Sequence, residues 1–207
     1  MKNNKIAKII IRYFAELLIV FFGVYGAFLL SEYKSEKEKE VKKEQICSAL
    51  IQEISNVLIR TDRVNANLPK IINFYDSLLE SGEMPNLVPR AEAVKVESHM
   101  WNASLTSGAI DLLDIPLMYK ISKFYNSLNA GLEQINQLRE LSETILIPNL
   151  NKGKDEFYDI RTKKLKPKYN WYFEGLKNLL IISNDISDQG MEALSELKAN
   201  MILQKVE

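Results

Sequence analysis

The pattern of apolar and polar positions changes character near residue 31. Residues 13–30 form an almost unbroken apolar run behind a short basic tail. A helix needs roughly 20 apolar residues to cross a bilayer, and residues 9–30 supply that length. The run is long for a signal peptide, and no small-x-small cleavage site follows it. The sequence therefore predicts an uncleaved transmembrane anchor at residues 1–31, with the lipid bilayer as its partner.

Beyond the anchor, apolar positions recur at helical spacing and nowhere alternate every second residue over a sustained stretch. Residues 32–44 carry mixed charges at helical spacing, which is typical of a solvated helix. An apolar stripe follows at Ile46, Leu50, Ile54 and Leu58. Because proline breaks helices, we expect this first helix to end near Leu68, before Pro69. A shorter helix is predicted over residues 70–79.

The same spacing predicts three further helices. These cover residues 91–105 before Gly108, a long helix from Asp114 as N-cap to Pro148, and residues 172–204. In the last helix we expect a kink at the small and polar positions Ser183, Ser187 and Gly190. The predicted fold class is all-α, in which an N-terminal transmembrane helix continues into an elongated antiparallel helical bundle at residues 32–207. The connection 149–170 would form the tip of that bundle.

The amino-acid composition excludes several kinds of functional site. The net charge of zero gives no general attraction to nucleic acid or acidic lipid. A single cysteine, Cys47, excludes an intrachain disulfide and a thiolate metal cage, and its neighbours favour a buried apolar position. A single histidine, His99, excludes a histidine-rich metal site, and no Glu-x-x-His pair or phosphate-binding glycine loop is present. We therefore expect neither an enzyme nor a bound cofactor.

Two features of the anchor suggest more than attachment. Gly23 and Ala27, with Gly26 beside them, form a small-residue stripe that lets helices associate closely in lipid, so a homo-oligomer is expected. Glu16 lies one turn after Arg12 on the same face, where the two can pair. An ionisable group within a membrane segment is a functional candidate. The alternative is that Glu16 lies at the level of the lipid headgroups.

The orientation of the anchor follows from the lysine and arginine count. Four such residues precede the apolar run and five follow it closely, so the two sides nearly tie under the positive-inside rule. A short, strongly basic N-terminal tail resists export. We therefore expect a single-pass protein of the cell membrane, with the N-terminus in the cytoplasm and the helical domain outside.

Two stretches offer candidate partner or ligand surfaces. In residues 101–114 the candidates are Trp101, Ser107 and Asp111. In residues 152–173 they are Lys163, Lys164, Lys166, Lys168 and Trp171. The first stretch also fits a helix-turn-helix joint filled by the tryptophan, and the second fits a solvated connection. Lysines among aromatics can bind single-stranded nucleic acid or an acidic protein surface, and export of the domain favours a protein partner at the tip.

Residues 16–27 resemble the anchor of an uncharacterised bacterial family of single-pass membrane proteins, which share an embedded glutamate and an apolar run with a glycine. The stretch from Trp101 through Ser107-Gly108 to Phe124-Tyr125 resembles the central segment of the same family. The resemblance implies an anchored helical domain and supplies no activity.

The sequence thus favours a non-enzymatic, membrane-anchored helical module that self-associates and scaffolds or senses a partner. A sensor needs a ligand cavity, whereas a scaffold needs only a surface. The alternative is an oligomeric membrane effector, in which assembled anchors form a pore lined by Glu16 and Gly23.

Overall fold

The computed structural model describes the backbone of residues 3–90 and 98–203 and the side chains of residues 16–90 and 98–201. In these residues the α-helices are α1 (Asn3–Glu80), α2 (His99–Thr106), α3 (Ile115–Leu141), α4 (Lys154–Phe157) and α5 (Trp171–Leu203). Extended pairing in the described part is limited to an isolated bridge between Tyr158 and Leu165. The predicted all-α fold, with a long first helix that leads into packed helices, is confirmed.

The chain divides into two compact units, with the boundary between Gln45 and Ile46. In the first unit, α1 exposes every large apolar side chain from Leu17 to Leu30, with exposed fractions of 38 to 72%. Among the described residues, α1 is the one helix long and apolar enough to cross a membrane, as judged by its length and composition.

Helix α1 continues through Pro69 to Glu80, so the predicted break before that proline is wrong. A proline inside a helix removes one hydrogen bond and costs about 3 kcal/mol. Leu68 and Ile72, on either side of it, are both buried, with exposed fractions of 6 and 8%. Burial of the same helix face before and after the proline favours one continuous helix over two.

In the second unit, α5 runs antiparallel to both α1 and α3. Lys120, near the start of α3, pairs with Glu196, near the end of α5, at 2.8 Å. Asp76, near the end of α1, pairs with Lys177, near the start of α5, at 3.1 Å. Helices α1 and α3 therefore run parallel to each other. Between them the chain has to return to the other end of the unit, and the residues from Ser81 through α2 make this connection.

The interior of this unit consists of two clusters of buried side chains. The first core cluster joins α1, α2, α3 and α5, and its fully buried members include Cys47, Leu50, Ile54, Ile121 and Phe124. The second core cluster is rich in aromatic residues, and its members include Leu68, Tyr75, Phe157, Tyr158, Tyr169 and Tyr172. The expected buried position of Cys47 is confirmed.

Gly190 allows α5 to lie close to its neighbours. A Cβ atom at this position would lie 2.7 Å from Leu58 Cδ2 and 3.0 Å from Phe124 Cε2. Helix α5 is continuous across this residue, and the kink expected near it stays a prediction. The small side chain therefore has a packing role, which brings α1 and α3 against α5.

The joints on either side of α3 combine expected and unexpected features. Gly108 has a φ of 65°, the left-handed conformation expected of a glycine that ends a helix. Asp114 occupies the N-cap position, but its side chain forms no capping hydrogen bond in the part described. The helix predicted to reach Pro148 ends at Leu141, and a π-helix at Ser142–Leu146 follows. Of the helix predicted over residues 91–105, residues 91–97 lie outside the described residues.

Candidate functional site

The site is built on the segment that follows α1, residues 81–90, which is fixed by buried side chains from elsewhere in the chain. The Tyr172 hydroxyl donates to Val88 O at 3.0 Å and accepts from Val88 N at 3.1 Å. Three further hydrogen bonds hold the segment: Tyr158 to Pro85 O (2.7 Å), Tyr75 to Asn86 O (3.1 Å), and Arg90 N to Ser142 Oγ (3.1 Å). The segment is therefore a fixed part of the fold although it has no regular secondary structure.

The tyrosines that hold this segment lie in a low-polarity environment. Burial raises the pKa of the Tyr75 phenol well above its usual range, and the neighbouring Tyr172 hydroxyl adds to the effect. Burial also raises the pKa of Tyr158. Both hydroxyls therefore stay protonated, as donors to the carbonyl groups of the segment, throughout the physiological pH range.

The fixed segment forms one wall of a groove of about 550 Å³, which we call the arginine groove. Helix α1 contributes Arg63, Val64, Asn67, Leu68 and Ile71, the segment contributes Val88, Pro89 and Arg90, and α3 and α5 contribute Ile135, Leu138, Leu176 and Leu179. Small-molecule sites in proteins have volumes of about 300–1,000 Å³ and mostly apolar walls with a few polar groups. The arginine groove matches this description.

The charged side chains in the described lining of the groove are both arginines. Its described lining contains Arg63 and Arg90 but no carboxylate. No side chain in the described part of the chain forms an ion pair with either arginine. Arg90 Nε is buried and has no hydrogen-bond partner among the described residues. A planar guanidinium beside apolar walls suits a ligand with an anionic head and an apolar body.

A second polar arrangement joins α2 to the bundle. Glu53 of α1 accepts hydrogen bonds from Met100 N, in the first turn of α2 (2.9 Å), and from the Tyr125 hydroxyl. A carboxylate stabilises the N-terminus of a helix. The Trp101 ring stacks on Tyr125 with a centroid distance of 5.0 Å and an angle of 8°. Trp101 is buried, so its surroundings support the interpretation as a core residue.

The two predicted partner surfaces do not come together. Trp101 belongs to the first core cluster, whereas Trp171 packs against the second. Ser107 donates to Ala103 O at 2.7 Å, which completes the end of α2. Asp111 lies exposed in the short 3-10 helix that follows.

The lysines of the second surface have different roles. Lys166 donates to Asp155 O at 2.6 Å. Lys168 lies 3.5 Å from a Glu156 carboxylate oxygen and 5.2 Å from the centre of the Tyr169 ring. Lys163 and Lys164 are exposed. Only part of this basic stretch is therefore available to a partner.

The residues singled out in the anchor lie in the first unit. Apart from the local backbone of α1 and the adjacent residues, no described atom lies within 4 Å of the Cβ position of Gly23 or Gly26, so that part of the helix is open to a neighbour. Ala27 and Glu16 are exposed. The side chain of Arg12 lies outside the described residues, so its pairing with Glu16 stays a prediction.

We expect the substitution Tyr172→Phe to loosen the segment at Val88. It removes the hydroxyl that serves both the amide and the carbonyl of Val88. A net loss of about 1–1.5 kcal/mol for one hydrogen bond corresponds to roughly tenfold faster amide exchange there. Hydrogen exchange followed by mass spectrometry on the full chain in lipid nanodiscs measures this rate.

Tyr119→Phe is the matched control. Tyr119 is 68% exposed and lies near the start of α3, whereas the segment contacts Ser142, just after the end of that helix. Exchange at Val88 should be unchanged in this control. Equal exchange in the wild type and in the Tyr172→Phe variant would show that the hydroxyl does not hold the segment.

The arginine groove was not found from the sequence. Its lining comes from four separate parts of the chain, and Arg63 is ordinary as a polar residue on an amphipathic helix. The resemblance to the bacterial membrane family stays a prediction. Comparison with family models, curated proteins and solved structures finds no match to this chain.

Proposed function

We propose that this chain is a non-enzymatic, membrane-anchored helical module that self-associates through its anchor and senses a small ligand in the arginine groove. The groove is the observation that carries the proposal. A scaffold needs only a surface, whereas a sensor needs a cavity of ligand size with a few oriented polar groups. About 550 Å³ between three helices and a fixed segment meets that need.

Membrane attachment is supported by the exposed apolar side chains of α1. Residues 17–30 expose large apolar groups on every side of the helix, with fractions such as 72% for Ile19 and 63% for Phe28. A helix that is apolar all round is stable where lipid, rather than water, surrounds it. The proposed orientation has the N-terminus in the cytoplasm and the second unit outside the cell membrane.

Self-association is supported by the open surface at Gly23, Gly26 and Ala27. Small residues four apart let two helix backbones approach closely, and van der Waals contact between them stabilises the pair in lipid. Among the described residues, nothing beyond the local backbone and adjacent residues of α1 lies within 4 Å of the two glycine Cβ positions, which leaves room for a second helix.

We expect the double substitution Gly23→Ile and Ala27→Ile to weaken self-association at least tenfold, because two β-branched side chains keep the backbones apart. Energy transfer between donor- and acceptor-labelled copies of the full chain in vesicles measures the association. The control is Leu18→Ile with Leu29→Ile, which places β-branched side chains on the opposite face of the same helix.

Three results would contradict the proposal. Energy transfer unchanged by the glycine-face substitutions would place any association elsewhere. Release of the intact chain from membranes by an alkaline carbonate wash would exclude an anchor. Permeabilisation of cells on expression, lost in a Glu16→Ala variant, would favour the oligomeric pore instead.

A further inference from the structure

We propose that the arginine groove binds a single-chain amphiphile with an anionic head, a carboxylate or a phosphate monoester. The head would lie between Arg63 and Arg90, and the tail would lie along the apolar walls. This inference rests on the proposed function, because it takes the groove to be the ligand site and adds the chemical class of the ligand.

The evidence for an anionic head is the charge of the groove. Its described lining includes two guanidinium groups and one carboxamide, Asn67, but no Asp or Glu. The buried Arg90 Nε has no hydrogen-bond partner in the described structure, so this guanidinium keeps hydrogen-bonding capacity that the described residues do not use. An arginine presents its donors as a planar fork, which matches the oxygens of a carboxylate or a phosphate.

The position of Arg90 is set before any ligand binds. Its own amide donates to Ser142 Oγ at 3.1 Å, and two residues earlier Val88 exchanges hydrogen bonds with Tyr172. Because the backbone is already fixed, ligand binding costs little conformational entropy.

The evidence for an apolar tail is a second cavity beside the groove. This cavity, of about 100 Å³, shares Val64, Ile135 and Leu179 with the groove and reaches Ile186 between α1, α3 and α5, and its charged lining residue is Arg60. Each buried methylene should therefore raise the affinity about fourfold until the cavity is filled. A neighbouring cavity of about 370 Å³ shares Ile71, Val88 and Arg90 with the groove and adds Lys70, so its described lining is also cationic. A further cavity has Asp76 and Glu80 beside lysines and favours no single class of ligand.

The test is photolabelling of the full chain in nanodiscs of zwitterionic lipid. The probe is a decanoate that carries a diazirine on its tail, and the comparison probe is the matching decanol. Digestion and mass spectrometry locate the labels. We expect decanoate to label the groove segments 63–71, 135–138 and 176–179 at least tenfold more than decanol does, because a charge-assisted hydrogen bond contributes a tenfold factor or more.

Two variants separate charge from shape. The double substitution Arg63→Gln and Arg90→Gln should lower decanoate labelling of the groove about tenfold and leave decanol labelling unchanged. Val64→Trp, at a half-exposed position of the wall, should block both probes while both arginines remain. Arg161→Gln, on an exposed residue outside the groove, is the control. Circular dichroism confirms that each variant keeps its helix content.

The outcomes show whether the ligand class alone fails or the proposed sensing function fails with it. Equal labelling by acid and alcohol, blocked by Val64→Trp, would overturn the anionic head but keep a ligand groove. Labelling confined to residues 17–30 would overturn both the ligand and the sensing role, while self-association is measured separately. If phosphatidylglycerol, a two-chain phosphodiester, added to the nanodisc competes with decanoate, the single-chain class is overturned and the ligand is an anionic lipid of the bilayer. If it does not compete, the single-chain anionic amphiphile stands.

Discussion

The substitution Phe124→Ala should lower the free energy of unfolding of the second unit by about 3–5 kcal/mol, since it removes a large aromatic side chain from a close-packed interior. Phe124 is fully buried, and its ring contacts Tyr125 at a centroid distance of 5.0 Å. On the other side it lies against the backbone of α5, 3.0 Å from the position of a Gly190 Cβ. A cavity here would remove packing between α3 and α5.

Urea unfolding of the full chain in nanodiscs, followed by circular dichroism at 222 nm, measures this effect. A helix in lipid keeps its backbone hydrogen bonds in urea, so the signal that is lost comes from the second unit. Phe74→Ala is the matched control, because Phe74 is 60% exposed on α1, and its substitution should change stability by less than about 1 kcal/mol. Similar losses in the two variants would show that Phe124 is not a core residue.

The second unit should also unfold steeply in alkali, beginning near pH 10. Burial raises the pKa of Tyr75, Tyr125 and Tyr158 in the folded chain. For Tyr125 the hydrogen bond to the Glu53 carboxylate adds to the shift. Below pH 10 these phenols are protonated in both the folded and the unfolded chain. Above pH 10 the unfolded chain loses protons that the folded chain keeps, so stability falls by up to about 1.4 kcal/mol per pH unit for each such tyrosine.

Absorbance at 295 nm, which reports ionised tyrosine, and helix content at 222 nm test this expectation together. The buried phenols should ionise only as helix content is lost. Tyr158→Phe, which removes one of these phenols, should make the loss of stability with pH less steep by up to about 1.4 kcal/mol per pH unit. Full ionisation of all nine tyrosines with the helix content intact would contradict the assignment.

The helices that the sequence predicted well are those whose apolar spacing and end signals agree. Asp114 followed by Pro116 correctly marked the start of α3, and α5 begins at Trp171, one residue before the predicted Tyr172. These signals are local, because the N-cap geometry and the fixed φ of proline act within one turn.

The features that the sequence did not reveal depend on distant residues. Pro69 lies within a continuous helix because Leu68 and Ile72 share a buried face, and that burial is supplied by other helices. The sequence predicts a kink near Gly190 but does not reveal its close packing against Leu58 and Phe124, which lie far from it in sequence. Local propensity cannot indicate a neighbour that tertiary folding brings into contact.

For the candidate site too, the sequence identified some residues and did not reveal others. The aromatic position Trp101 was identified, and its alternative interpretation as a core residue now has support from its stacking on Tyr125. The arginine groove was missed, because Arg63 and Arg90 line the same groove only after the segment that follows α1 packs against the helices. Self-association, the orientation in the membrane and a protein partner at residues 149–170 stay predictions.

The fixed segment after α1 has a consequence for the order of folding. Its hydrogen bonds join residues as far as 84 positions apart, so loop-closure entropy delays their formation until the long helices have met. The groove then exists only in the completed fold. By mass action, any molecule that occupies it would stabilise the entire second unit, by about 2.7 kcal/mol at one hundred times its dissociation constant. A rise in melting temperature would therefore reveal a natural ligand even when its chemical identity is unknown.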